Sequence, residues 1–139
     1  MKVNLAVMVL LTAMSMDPAP ARGCQTEAKG PYDETGRPDG EWRIVECDGT
    51  ETIGTLSSGT WHGPITVLRP DGRKDTGHYE HGRKEGAWTY SQLDGARVSG
   101  PYRRGLLHGE WAFYGKDGRI AARECWRAGK WIGLGSCSE

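Results

Sequence analysis

The residues of this 139-residue chain that could do chemistry are its four histidines, its four cysteines and a set of aspartates that recur beside glycine. A nucleophile needs a base within hydrogen-bond reach, and a metal needs ligands that converge. The sequence shows neither arrangement. No serine sits in a Gly-x-Ser-x-Gly elbow, the strand-to-helix turn that exposes a hydrolase nucleophile. His78 and His81 flank Tyr79, whereas His62 and His108 lie far apart. No Cys-x-x-Cys occurs among Cys24, Cys47, Cys125 and Cys137, which argues against zinc. Asp48, Asp71, Asp94 and Asp117 could suggest calcium, but each precedes a glycine. Asp-Gly is in itself a hairpin signal, and no further carboxylates converge there. The reading is therefore no catalytic residue, no metal and no cofactor, with the histidines as exposed polar side chains.

What the spacing of these residues does show is a repeat. Asp71-Gly72, Asp94-Gly95 and Asp117-Gly118 recur every 23 residues, as do Gly63, Gly86 and Gly109. Gly77 and Gly100, Tyr79 and Tyr102, Gly82 and Gly105, and Trp88 and Trp111 keep the same step. One period upstream lie Asp48-Gly49, Gly40, Gly54, Gly59 and Trp42. Self-similarity at such a period signals an array whose units stabilise one another. Under this period His62 and His108 are two units, or about 19 Å, apart for strands ~4.8 Å apart, too far to share a metal.

Each unit predicts a β-hairpin: a strand, an Asp-Gly turn, a returning strand and a Gly-x-x-x-Gly link to the next. Short period-2 alternation around Trp42 and Ile44, Trp88 and Tyr90, and Trp111 and Phe113 supports the strands. The Asp-Gly pairs predict two-residue type I′ turns. The second glycine of each link is expected to let an aromatic ring lie over the backbone. The fold expected is all-β: a single-layer antiparallel meander of about four hairpins and eight strands. Unit two carries Ile65 and Val67 where the others carry aromatics.

Four regions follow. Residues 1–21 combine Lys2, the apolar run Leu5 to Met14 and Pro18-Ala19-Pro20-Ala21 before Arg22. That is the layout of a secretory signal with an Ala-x-Ala cleavage site, and the run is shorter than the roughly 20 apolar residues that span a bilayer. Residues 22–39 read as an N-terminal half-repeat cap, with Tyr32, Gly36 and Gly40 echoing Tyr79, Gly82 and Gly86. Residues 40–133 are the array, and 134–139 a tail. A lipobox reading of Gly23-Cys24 competes, but Arg22 stands where a small residue is wanted.

An even cysteine count in an exported chain predicts disulfides. In a stacked array Cys47 and Cys125 would be about six strands, or roughly 29 Å, apart, while a disulfide needs Cα atoms within about 7 Å. The expected pairs are Cys24–Cys47 and Cys125–Cys137, one at each end.

Lys plus Arg and Asp plus Glu balance at 18 each, so no basic footprint for nucleic acid is present. The partner-binding candidates are Trp61, Trp88, Tyr90, Trp111, Phe113, Trp126 and Trp131, because aromatics dominate binding hot spots. In a single layer the rows of Trp88 and Trp111 must also supply the core. Trp61, Trp126 and Trp131 lie off those rows and are the better candidates for exposed contacts or end caps.

The pattern Tyr-x-x-Gly-x-x-x-Gly-x-Trp followed by Asp-Gly, at Tyr79 to Trp88 and Tyr102 to Trp111, resembles the MORN repeat. More specifically, it resembles the bacterial variant in proteins labelled YwqK-type antitoxins, over roughly residues 32–133. The resemblance implies an elongated twisted antiparallel sheet that acts in protein association, sometimes at membranes. The antitoxin label implies neutralising a partner by binding it. The signal segment and the disulfides depart from a cytoplasmic antitoxin. The functional expectation is thus an exported, non-enzymatic protein that binds a protein partner. Carbohydrate or envelope binding, or a purely structural role, are the alternatives.

Overall fold

The structure, a computed structural model, describes residues 25–137. The expected signal segment, Cys24 and residues 138–139 lie outside the described residues. The described chain is all-β, one open antiparallel sheet of 11 strands in meander order. The strands are β1 (Glu27–Lys29), β2 (Gly40–Val45), β3 (Glu51–Ser57), β4 (Thr60–Leu68), β5 (Lys74–Glu80) and β6 (Arg83–Ser91). They continue with β7 (Arg97–Arg103), β8 (Leu106–Leu107), β9 (Gly109–Tyr114), β10 (Ile120–Arg127) and β11 (Lys130–Leu134). The four expected hairpins are β2/β3, β4/β5, β6/β7 and the broken strand β8–β9 with β10. β1 and β11 extend the sheet by one strand at each end, and the break between β8 and β9 adds one more, so the expected eight become 11.

The turns differ from expectation in an instructive way. At each Asp-Gly only the glycine has positive φ, from 77° to 88°. Glu46 N–H donates to the Thr50 carbonyl and Gly49 N–H to the Glu46 carbonyl. That is a three-residue loop, a type I turn closed by a left-handed glycine. The Glu46 carbonyl is thereby taken, and the Thr50 N–H turns to the Asp48 carboxylate at 2.7 Å. Asp71, Asp94 and Asp117 accept from residues 73, 96 and 119 in the same way. The aspartate is needed as an acceptor, not for left-handed backbone.

The two-residue primed turns lie instead at the links between hairpins. Ser58-Gly59, His81-Gly82, Arg104-Gly105 and Ala128-Gly129 all have positive φ at both residues. The half-repeat cap fails to form one. Asp33 N–H donates to the Arg37 carbonyl and Gly36 N–H to the Asp33 carbonyl, so Gly36 closes a longer loop of the Asp-Gly kind. Tyr32 precedes Gly36 by four residues where Tyr79 precedes Gly82 by three, and this extra residue lengthens the loop.

Cross-strand register sets the faces. Trp42 pairs with Gly54, Ile65 with Gly77 and Trp88 with Gly100, and directly paired residues share a face. Each repeat tryptophan also lies back over a glycine of the preceding hairpin or cap. A Cβ added at Gly30 would meet the Trp42 ring, one at Gly77 would overlap Trp88, and one at Gly100 would overlap Trp111. The indole N–H then reaches the carbonyl of the next residue: Trp42 to Pro31 at 2.9 Å, Trp88 to His78 at 3.1 Å, Trp111 to Pro101 at 3.1 Å. Rings therefore cover glycines 30, 77 and 100. The second link glycines, Gly40, Gly63, Gly86 and Gly109, are needed for positive φ instead.

Cys125 and Cys137 form a disulfide with Cα atoms 5.2 Å apart, tying the tail to β10 as expected. Cys47 is disulfide-bonded as well. Its expected partner, Cys24, lies outside the described residues.

Candidate partner-binding face

The aromatic side of the sheet is built by register alone. Ile65, Trp88 and Trp111 form the buried cluster, and Trp61, Tyr79, Tyr90, Val98, Tyr102, Leu107 and Trp126 pack against it. Trp42, Trp88 and Trp111 are only 3–4% exposed. Two of the proposed contact residues, Trp88 and Trp111, are thus core. Trp61 and Trp126 also join the core's margin, because Trp61 pairs with Leu56 and Trp126 with Gly109 on the same face. Phe113 is half-buried, and Trp131 is 51% exposed on the terminal strand.

The centre of this face holds a lysine where neighbouring units carry apolar side chains. Lys84 pairs with Tyr79, just as Trp61 pairs with Leu56 and Leu107 with Tyr102. Its ammonium lies 4.2 Å from the Trp88 ring centre, 5.0 Å from Tyr102 and 5.2 Å from Tyr90. Such ring faces attract a cation through their quadrupoles. Lys84 Nζ also donates to the Tyr90 hydroxyl at 2.8 Å, and the Tyr90 and Tyr102 hydroxyls share a hydrogen bond of 3.1 Å. Around this point the rings alternate. Tyr79 and Tyr102 stand edge-on to Trp88 and Trp111, while Tyr90 stacks between the two indoles at 6.1 Å from each.

Burial decides the electrostatics here. It pushes the Lys84 amine down, against the opposing pull of Asp75. It pushes the Tyr90 phenol far up, with the Tyr102 hydrogen bond adding to the effect, and raises Tyr79 as well. Asp75 is held in place by Arg69, 2.7 Å from its carboxylate. The result is a half-buried aromatic patch around the desolvated Lys84 cation, with no second layer over it among the described residues. Such a composition suits recognition by contact, with aromatic anchors and few charges.

The histidines have a role the sequence reading missed. His62 Nδ1 accepts from His81 N–H at 3.3 Å, and His108 Nδ1 from Ala128 N–H at 3.3 Å. At the other two links Asp39 accepts from Ser58 N–H at 2.9 Å and Glu85 from Arg104 N–H at 2.7 Å. Positions 39, 62, 85 and 108 are thus a row of side-chain acceptors, each holding the left-handed first residue of a link turn. A 23-residue recurrence of acceptors was the available signal, hidden because the residue types differ. His62 and His81 rings lie 4.9 Å apart, whereas His62 and His108 serve separate links. Among the described residues no group of three or more His, Cys, Asp or Glu converges.

No protein-family model matches the chain, and no curated protein matches it.

Proposed function

We propose that this chain is an exported, non-enzymatic MORN-type repeat protein that binds a protein partner across the aromatic face of its sheet, in an inhibitory or immunity-like role. The observation that carries the reading is the single layer. Tyr79, Tyr90 and Tyr102 remain only partly buried around Lys84, and no second sheet or helix covers them among the described residues. A half-buried aromatic face is what partner anchors need. Export is supported by the disulfides, which persist in oxidising compartments, and by the apolar segment ahead of Arg22. The repeat tryptophans are too covered to offer a ring face to a sugar, so the protein reading is preferred to the carbohydrate one.

The test is affinity capture from the native exported fraction, trying the product of the neighbouring gene first, with the unmodified protein beside Tyr79→Ala and Lys84→Glu. The expected result is a partner retained by the unmodified chain and lost from both variants while their folds persist. Retention of one partner equally by all three would overturn the choice of face. Retention of none would overturn the protein-binding reading.

A further inference from the structure

Trp88 is buried although no second layer lies over the sheet among the described residues. Lys84 stands over its ring, the ammonium 4.2 Å from the centre, with Tyr79 and Tyr102 edge-on at 5.4 and 5.9 Å. An ammonium has three N–H donors. One goes to the Tyr90 hydroxyl. Among the described residues no other group accepts from Lys84, and no carboxylate pairs with it. Asp75 pulls on its charge but is committed to Arg69, 2.7 Å away.

In the free protein water serves the two remaining donors. A partner that covers the aromatic face removes that water. A whole charge and two N–H groups would then be buried unmatched, which is among the costliest ways to bury a polar group. An acceptor of opposite charge removes that cost, because charge-assisted hydrogen bonds are the strong ones. The surroundings say which anion fits. Arg83 and Arg103, beside Lys84 and Tyr102 in sequence, alternate to the other face of their strands. The patch therefore offers a single point charge amid rings, without the guanidinium cluster that suits a phosphate. A singly charged carboxylate with apolar neighbours matches it.

We infer that the partner protein lays an aspartate or glutamate carboxylate on the Lys84 ammonium, flanked by apolar side chains that cover Tyr79 and Tyr102. This inference rests on the protein-binding reading above. The tyrosine hydroxyls supply a further donor. Lys84 donates to Tyr90, and the Tyr90 and Tyr102 hydroxyls are bonded at 3.1 Å. Each hydroxyl has one hydrogen, so when Tyr90 donates onward the Tyr102 hydrogen is left for the carboxylate.

The probe is hydrocinnamate, a carboxylate carried on an apolar ring, added to the oxidised protein and followed through the Trp88 indole N–H resonance. Hydrocinnamide, its neutral analogue, and inorganic phosphate are the comparisons. Lys84→Met removes the charge and keeps an unbranched apolar side chain. The expected result is saturable binding of hydrocinnamate, at least tenfold weaker for the amide, for phosphate and in Lys84→Met. Equal binding of the amide or of phosphate, binding undiminished in Lys84→Met, or no binding up to about 100 mM hydrocinnamate would overturn the inference. The probe needs no partner. A captured partner with a silent probe would therefore sink the carboxylate alone, and a bound probe with nothing captured would sink the protein source alone.

Discussion

The indole N–H of Trp88 donates to the carbonyl of His78 at 3.1 Å, and its ring covers Gly77, the residue before. One side chain thereby fills the space over a bare backbone and ties one hairpin to the next. Trp111 does the same with Gly100 and Pro101, and Trp42 with Gly30 and Pro31. Gly77→Ala and Gly100→Ala place a methyl inside an indole that has nowhere to move. Each should cost about 1–3 kcal/mol, the usual scale of overpacking, read by denaturant unfolding. Gly118→Ala meets no atom within 4 Å, but its φ of 77° should still cost about 1 kcal/mol of backbone strain. A loss at Gly77 no larger than at Gly118 would contradict the ring-over-glycine account.

The row of acceptors at 39, 62, 85 and 108 makes a second prediction. His62→Ala and Glu85→Ala each leave the N–H of a left-handed turn residue, His81 or Arg104, to solvent. A loss of about 0.5–1.5 kcal/mol is expected, with much of it restored by His62→Asp, which copies Asp39. If His62→Ala and His62→Asp melt together, the acceptor is not what the position supplies.

Acid should act through the turn aspartates. Asp33 is held down to about 2 by the Thr35 side chain first and the Arg37 N–H next. Asp48 and Asp71 are lowered chiefly by the backbone N–H groups of Thr50 and Arg73. A carboxyl with a depressed folded value contributes stability above its unfolded value, near 3.8, and loses it as the pH falls through the folded one. Thermal midpoints should therefore drop as pH falls from about 4 to about 2. Asp33→Asn should flatten part of that drop. A variant with the same acid profile as the unmodified chain would refute the role of Asp33.

Lys84 sits where the next unit carries Leu107, and burial lowers its amine. Lys84→Leu should leave stability unchanged or raise it by up to about 1 kcal/mol, since a desolvated cation is replaced by an apolar side chain. Partner retention should fall at least tenfold. A destabilised Lys84→Leu would show that the cation–π contacts with Trp88, Tyr90 and Tyr102 outweigh the desolvation.

Much of this was legible from spacing. The 23-residue period gave the meander, the hairpins and the terminal pairing of Cys125 with Cys137, because identical units can stack only in order. The turn types were not legible from the Asp-Gly pairs. Both loop kinds put a glycine in left-handed backbone, and what separates them is whether one or two residues precede it inside the paired strands. Ser58, His81, Arg104 and Ala128 carry no residue signal for positive φ; the register forces it. Trp61 looked stray because it is off the Trp42 row, yet the tight link turns it back opposite Leu56. Tyr79, Lys84 and Tyr102 were similarly invisible as a patch, since their meeting depends on pairing across β5, β6 and β7.

The account rests on indole rings lying on glycine backbone, and proton magnetic resonance reads that directly. The Hα protons of Gly77 and Gly100 should be shifted strongly upfield by the rings above them. The indole N–H of Trp88 and Trp111 should exchange slowly with solvent, and that of the exposed Trp131 quickly. Glycine Hα shifts at ordinary values, with all the indole protons exchanging alike, would contradict it.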